Sequence, residues 1–184
     1  MVELSVTPSA DFVDRLSRCP AGIPGWHEFE DVALSTMQFL FVPPLTEPFV
    51  QARTFSGIDR RDAIFPNRVT DPSKPWGLLR QDLDARLIPV EFKNYDRSEI
   101  GKQEVDQTRN YMKQDLGRLA FICSNKSPGQ AAYLRRNMVF SEERKLILFI
   151  TSAQLKKMLR MQDRGKDPAS YIVYSVERFL IQHE

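Results

Sequence analysis

The spacing of apolar positions predicts the elements of the chain. Between residues 26 and 41 apolar side chains recur every three or four positions, which places them on one stripe of a helix over Trp26–Phe41. Short apolar runs between loop-forming prolines and glycines predict strands. The predicted strands are Phe49–Thr54, Arg60–Phe65, Arg86–Lys93, Leu119–Ser124 and Lys145–Ile150.

Helices are predicted between and after these strands. The longest covers Glu99–Leu116 and ends at Gly117, because glycine is favoured just after a helix. Asp167 followed by Pro168 is a suitable N-cap and first-position pair for a last helix, which we favour over a strand at Tyr171–Val176. The other predicted helices cover Trp76–Leu83, Gln130–Arg144 and a segment from Thr151 or Ser152 to about Met161.

The main elements follow the order α-β-β-β-α-β-α-β-α-α. This alternation predicts an α/β fold with a mixed central sheet and helices on both of its faces. A chain of 184 residues suits one compact domain with a substantial core, so we expect a single domain over residues 1–184.

Composition narrows the setting of the protein. Apolar residues make up 42% of the chain without a run of 18, so we expect no membrane span. The first eight residues lack the basic region of a signal peptide. Cys19 and Cys123 form no CxxC pair, so a reducing, cytoplasmic setting is expected. A net charge of +2 neither requires nor excludes a nucleic-acid partner, because the charges of a basic face and an acidic pocket can cancel in the total.

The segment Val90-Glu91-Phe92-Lys93 carries the first candidate chemistry. Alternate residues of a strand share a face, so Glu91 and Lys93 point the same way and Phe92 points into the opposite layer. A carboxylate beside an ammonium group on one face of an otherwise apolar strand needs an explanation, and a catalytic site is one. A plain ion pair on a half-exposed strand is the alternative interpretation.

Two further carboxylates are predicted to point inward. Asp62 shares a strand face with Ile64, where an unpaired carboxylate is costly. Glu30 falls inside the apolar stripe of the first helix. Each carboxylate has a structural alternative, which is an ion pair with arginine for Asp62 and capping or an arginine pair for Glu30.

Together these side chains suit metal-assisted hydrolysis of a phosphodiester. Carboxylates are the hard oxygen ligands that Mg²⁺ prefers, and the ion keeps several waters. Bound metal activates water and neutralises charge that grows on a scissile phosphate. A neighbouring lysine can orient or deprotonate that water or stabilise the transition state.

Three motifs resemble those of one nuclease superfamily. Asp62 followed by Glu91-Phe92-Lys93 resembles the signature of PD-(D/E)xK, restriction-endonuclease-like nucleases. Gly25-Trp26-His27-Glu28-Phe29-Glu30 resembles the G-x-x-x-F-E opening of the first helix in Mrr-like restriction endonucleases. Val105-Asp106-Gln107-Thr108-Arg109-Asn110-Tyr111 is similar to the V-x-Q-x-x-x-Y helix that follows in many members. The resemblance spans about Gly25 to Asn125.

The resemblance implies a fold and a site. The implied fold is a restriction-endonuclease-like αβββαβ core over about residues 25–126, with family-specific additions over 127–184. The implied cofactor is Mg²⁺, for which Mn²⁺ can substitute. The implied metal ligands are Asp62, Glu91, the Phe92 backbone carbonyl and Glu30. Lys93 is the implied catalytic cation, and Gln107 the implied polar contact near the site or its substrate.

The resemblance also implies a function, with alternatives. We expect a metal-dependent endonuclease that acts on DNA, in defence against foreign DNA. A homodimer or association with a larger protein is expected, because a domain of this size needs a partner to cut both strands. One alternative is a catalytically silent member that binds nucleic acid or a partner protein. Another is a structural domain in which Glu91 and Lys93 simply pair and bind no metal.

The chain departs from the superfamily pattern at Arg61 and Pro89. Arg61 replaces the proline before Asp62, and Asp59 in the preceding turn competes with Asp62 for the acidic role. Pro89 lacks a ladder donor, so we expect it at a bulge or near the start of its strand.

Candidate phosphate contacts are the basic residues Arg60, Arg61, Arg68, Lys74, Arg80, Arg135 and Arg136.

Overall fold

The computed structural model describes residues 7–53 and 60–183. The helices are α1 (Pro8–Arg18), α2 (Trp26–Phe41), α3 (Pro75–Leu83), α4 (Lys102–Tyr111), α5 (Gln130–Glu143), α6 (Ser152–Asp163) and α7 (Ala169–Gln182), with a 3-10 turn at Ile23–Gly25 before α2. The strands are β1 (Phe49–Arg53), β2 (Arg60–Pro66), β3 (Leu87–Lys93), β4 (Leu119–Ser124) and β5 (Leu146–Thr151). No helix in the described residues is long and apolar enough to cross a membrane.

The five strands form one mixed sheet in the order β1-β2-β3-β4-β5. The first three strands are antiparallel, and β3, β4 and β5 run parallel. The connections between the parallel strands contain α4 and α5, as parallel pairing requires a crossover. The predicted α/β class with a mixed sheet flanked by helices is confirmed.

Side chains alternate between the two faces of the sheet, and an apolar layer lies on each face. The larger layer contains Val90 and Phe92 of β3 and packs against buried residues of α1, α2, α3, α6 and α7. The smaller layer contains Ala120 and Ile122 of β4 and packs against α4 and α5. Because Glu91 and Lys93 alternate with Val90 and Phe92, they belong to the face that α4 covers.

Pro89 lies where a missing N–H is tolerated. It is the third residue of β3 and lies opposite Ile64 of β2. Successive backbone N–H groups of a strand point alternately toward its two neighbouring strands. The Phe92 N–H points toward β2, so the nitrogen of Pro89, three residues earlier, faces β4. Paired residues of β3 and β4 begin at Val90, one residue later. The expected position near the strand start is therefore confirmed.

The prediction of a helix over Glu99–Leu116 is wrong at both ends. The helix α4 begins after Gly101, because the Glu104 carboxylate accepts the Gly101 N–H at 2.8 Å and fixes the first turn. It ends at Tyr111, and Met112 turns into the smaller apolar layer. Gly117 therefore does not end this helix.

Other boundaries differ less from the predictions. The sequence analysis did not predict α1, whose apolar residues Phe12, Val13 and Leu16 pack on the larger layer. The Asp167 carboxylate accepts the Ala169 N–H at 2.8 Å, but the last helix has Pro168 at its N-cap and begins at Ala169, so the predicted start is one residue too early. The segment over Tyr171–Val176 is helical and not a strand.

We expect Gly117→Ala to lower the free energy of unfolding by about 3 kcal/mol. Gly117 has φ +104°, and an added Cβ would lie 1.9 Å from the Asp84 carbonyl oxygen. Gly165→Ala is the matched control, because Gly165 also has positive φ (+70°) but nothing within 4 Å. Urea denaturation should show a loss of about 1 kcal/mol for the control. Equal losses in both variants would contradict a steric requirement at Gly117.

Candidate active site

The central strand β3 supplies the first two charged side chains. Glu91 is only 2% exposed, and Lys93 is partly buried beside it. The Lys93 ammonium donates to Glu91 Oε2 over 3.4 Å. The sequence-based expectation that these two side chains share a strand face is met, and the ion pair of the structural alternative is also present.

Asp62 lies beside Glu91 because the antiparallel ladder ends there. The last pair of β2 and β3 is Ala63 with Val90, so the next positions place Asp62 opposite Glu91. Asp62 Oδ2 accepts the Phe92 N–H at 2.9 Å, in the place of a ladder carbonyl. The Phe92 carbonyl points to the same side of the strand as its N–H. Asp62, Glu91 and Phe92 therefore lie together at the end of the ladder, where all three line one cavity.

The electrostatics of this pair favour a bound cation. Burial and, next, the charge of Asp62 raise the pKa of Glu91, and Lys93 opposes both effects; the net result is a pKa of about 7. Glu91 Oε1 is fully buried and accepts no hydrogen bond. A buried acceptor without a donor is costly, so Lys93 alone does not satisfy this carboxylate.

Gln107 of α4 extends the site through a chain of hydrogen bonds. Its Oε1 accepts from Lys93 Nζ at 3.3 Å, and its Nε2 donates to the Tyr111 hydroxyl at 2.8 Å. Because the ammonium group only donates, it requires the Oε1 end of the amide to face Lys93, and the Tyr111 hydroxyl holds the amide there by accepting from Nε2. Gln107 therefore contacts the site through Lys93.

We expect Tyr111→Phe to slow any reaction at this site about 10-fold, because the Gln107 amide loses the acceptor that fixes its orientation. The hydroxyl lies two hydrogen bonds from Lys93, so the loss should appear in kcat with KM nearly unchanged. Tyr133→Phe is the matched control, because Tyr133 lies on α5 outside this network. Equal losses in the two variants would contradict the positioning role.

The four side chains open into a cavity of about 910 Å³. Asp62, Glu91, Lys93 and Gln107 line its floor. Its rims are residues 21–26 and residues 94–98, which the Asn94 side chain joins by donating to the Pro20 and Gly22 carbonyls at 2.9 and 3.1 Å.

The sequence analysis did not identify the rims of this cavity. Ile23 and Trp26 are 92% and 45% exposed on one rim, where apolar side chains face the solvent. Trp26 belongs to the apolar stripe of α2 by periodicity, so only its exposure distinguishes it from a core residue. Nothing in the local pattern around Asn94 indicates that it joins two loops.

Glu30 does not line the cavity. It is 7% exposed on α2, among residues such as Phe29 and Ala33 that pack on the larger apolar layer. Asp59, the rival to Asp62, lies outside the described residues.

Several candidate phosphate contacts are engaged within the protein. Arg61 is 6% exposed and donates to the Tyr111 carbonyl at 3.4 Å. Arg80 donates to the Asn67 carbonyl. Arg135 pairs with Asp106 at 2.6 Å.

The donor set fits a divalent metal with open positions. Within residues 7–53 and 60–183, no group of three or more His, Cys, Asp or Glu side chains could hold a metal ion. Asp62 and Glu91 offer two carboxylates, and the buried, donor-free Oε1 of Glu91 is an oxygen that a cation would satisfy. Mg²⁺ is commonly bound through one or two carboxylates while it retains several waters.

Comparisons with known proteins give one distant similarity. A protein of transposon gamma-delta (80.3 kDa) from Escherichia coli strain K12 is 25% identical over 150 residues. That alignment covers 79% of this chain and 21% of the relative, so the chain spans about a fifth of the relative's length. No protein-family model matches the chain. No solved structure matches it.

Proposed function

We propose that this protein is a Mg²⁺-dependent endonuclease of the PD-(D/E)xK, restriction-endonuclease-like kind that hydrolyses phosphodiester bonds in DNA. The observation that carries the proposal is the pairing of Asp62 with a buried Glu91 whose Oε1 has no hydrogen-bond donor, beside Lys93 in an open cavity. The ion pair with Lys93 uses Oε2 and leaves Oε1 without a donor.

The chain order of the elements supports the finer fold proposal. Helix α2, the antiparallel strands β1 to β3, helix α4 and strand β4 follow one another as in the αβββαβ core that the resemblance implies. Helix α3 is inserted before β3, and the elements from α5 onward would be the family-specific additions. Asp62 and Glu91 lie on the adjacent strands where the signature requires them.

In the proposed mechanism, the chain's own residues bind and orient the reactants. Asp62 and Glu91 would hold Mg²⁺ through carboxylate oxygens, and the Phe92 carbonyl would supply a third oxygen. The ion, when bound, lowers the pKa of water and neutralises charge on the phosphate. Lys93 orients the attacking water and stabilises the negative charge that develops on the phosphate. Gln107 keeps the Lys93 ammonium directed at that position. We assign no step to Glu30, because it does not line this cavity.

A panel of substrates tests the proposed reaction and its substrate class. Purified protein is incubated with Mg²⁺ or Mn²⁺ and supercoiled plasmid, linear duplex, single-stranded DNA or RNA of matched sequence. The proposal predicts metal-dependent nicking or linearisation of plasmid, with RNA left intact. Retention of DNA without cleavage in either metal would favour the silent binding module.

Association is part of the proposal for double-strand cleavage. One site cuts one strand, so a second copy or a larger protein supplies the second cut. Sedimentation velocity with and without duplex DNA tests this step. A strict monomer on DNA that nonetheless linearises plasmid in one event would contradict it.

A further inference from the structure

A second cavity of about 340 Å³ lies at the other end of the sheet from β1, where α5 and α7 meet the edge strand β5. Two arginines line it, Arg136 from α5 and Arg178 from α7. No carboxylate residue is among the described residues that line it. The cavity is therefore positively charged, in a protein whose acidic and basic residues nearly balance.

Among the described residues, Arg136 is a cation without an anionic partner. Its guanidinium carbon lies 5.2, 5.4 and 4.5 Å from the ring centroids of Tyr133, Phe149 and Phe179. Its Nε is fully buried and has no hydrogen-bond partner. Within the described part of the chain Arg136 has no ion pair, whereas its neighbour Arg135 pairs with Asp106 at 2.6 Å.

The energetics of Arg136 indicate a missing anionic partner. Burial lowers the pKa of Arg136, which means that the surroundings disfavour its charge. Stacking on aromatic rings offsets part of the desolvation cost but satisfies none of the five N–H donors. A planar fork of donors in a water-poor aromatic site is the arrangement that binds phosphate through two parallel hydrogen bonds.

The remaining walls suit the other parts of a nucleotide. Tyr174 lines the cavity and is 54% exposed, so its ring is accessible to a stacking base even though the Tyr171 ring lies 6.4 Å away. The Tyr171 hydroxyl accepts from Gln154 Nε2 at 3.2 Å, which leaves its own proton available for a ligand. The volume is at the lower end of that of small-molecule pockets and suits one nucleotide unit.

We propose that this cavity binds one nucleoside monophosphate unit, with the phosphate on Arg136 and Arg178 and the base on Tyr174. The unit is either a free nucleotide or the 5′-phosphorylated end of a DNA strand, which share this chemistry. The site is separate from Asp62 and Glu91, and it stands whether or not those residues cut DNA.

Calorimetric titration in EDTA tests this site without the metal centre. The probes are deoxyadenosine 5′-monophosphate, deoxyadenosine, inorganic phosphate, and an oligonucleotide with or without a 5′-phosphate. We expect the monophosphate to bind and deoxyadenosine to bind at least about 10-fold more weakly, because it lacks the phosphate. Preference for the 5′-phosphorylated oligonucleotide over the free nucleotide would identify strand ends as the source.

Variants assign the binding to this cavity. Arg136→Met should weaken monophosphate binding about 10-fold or more, and Arg178→Gln, at an exposed position, should act in the same direction. Methionine suits an aromatic-lined site, so the fold should be retained. Tyr174→Ala should weaken monophosphate binding about 10-fold but leave inorganic phosphate binding unchanged. Arg144→Met is the matched control, because Arg144 lies over the Phe140 ring outside the cavity.

Three outcomes would overturn the proposal. The first is no binding of the monophosphate at millimolar concentration by folded protein. The second is an equal loss of affinity in Arg144→Met and Arg136→Met, or a loss only in Lys93→Ala. The third is inorganic phosphate binding as tightly as the monophosphate, which would show an adventitious ion only.

Discussion

Lys93→Ala is expected to reduce the rate of metal-dependent DNA cleavage about 1000-fold while the fold and DNA binding are retained. Lys93 is the cation nearest the carboxylate pair, since its ammonium lies 3.4 Å from Glu91 Oε2. Removing it takes away both the positive charge and the donor that orient water at the phosphate. Single-turnover cleavage of a short duplex, at saturating metal, measures the chemical step.

A matched lysine separates this effect from a general loss of positive charge. Lys102 is exposed at the start of α4 and does not line the cavity, so Lys102→Ala should cleave at the wild-type rate. Binding of uncleaved duplex in Ca²⁺ should be similar for both variants. A Lys93→Ala protein that cleaves within about threefold of wild type would exclude Lys93 as the catalytic cation.

Glu91→Gln is expected to abolish cleavage and yet to stabilise the metal-free protein above pH 7. The amide removes one of two metal-binding carboxylates, so we expect a loss of at least about 1000-fold in rate. It also removes a buried charge that the Asp62 carboxylate repels and that Lys93 and the Asp62 backbone compensate only in part. Function and stability therefore change in opposite directions at this residue.

The sign of the pH dependence follows from the raised pKa of Glu91. Folding raises this pKa from 4.5 to about 7, so between these values the folded state binds more protons than the unfolded state. The free energy of unfolding in EDTA should therefore fall by about 3 kcal/mol as pH rises through this window. Below pH 4.5 the buried Glu91 is protonated and costs no stability, and above about pH 7 it is ionised and the loss of stability is complete.

Urea denaturation of Glu91→Gln across this pH range measures the effect. The free energy of unfolding of the variant should not show the fall with pH that Glu91 causes in wild type. At pH 8 in EDTA it should therefore exceed that of wild type by about 3 kcal/mol. Millimolar Mg²⁺ should then raise the stability of wild type but not of the variant. The exposed Glu177→Gln on α7 is the control and should follow wild type. If the free energy of unfolding changed with pH in the same way in wild type and Glu91→Gln, the pKa of Glu91 would not be raised in the folded protein.

Strand periodicity was sufficient to predict the core of the site. Because side chains alternate along β3, the sequence alone places Glu91 and Lys93 on one face. The antiparallel register then brings Asp62 opposite Glu91, although register itself is not readable from local sequence. Gln107 was named from the resemblance, and its contact with Lys93 depends on where α4 begins.

Features that depend on tertiary contact were not predictable in the same way. The start of α4 depends on Glu104 capping Gly101, and the approach of Gly117 to the Asp84 carbonyl requires two distant segments to meet. Glu30 was assigned to the site from helical periodicity and the resemblance, but periodicity gives only a helix face. Which layer that face meets is a property of the whole sheet.

One plasmid experiment tests the central claim most directly. Wild-type protein is mixed with supercoiled DNA in EDTA, excess Mg²⁺ is then added, and Lys93→Ala and Glu91→Gln are treated in parallel. We expect no cleavage in EDTA, nicking or linearisation of plasmid by wild type once Mg²⁺ is present, and intact plasmid with either variant. Cleavage that persists in EDTA, or that both variants retain at the wild-type rate, would contradict a metal-dependent nuclease site at Asp62, Glu91 and Lys93.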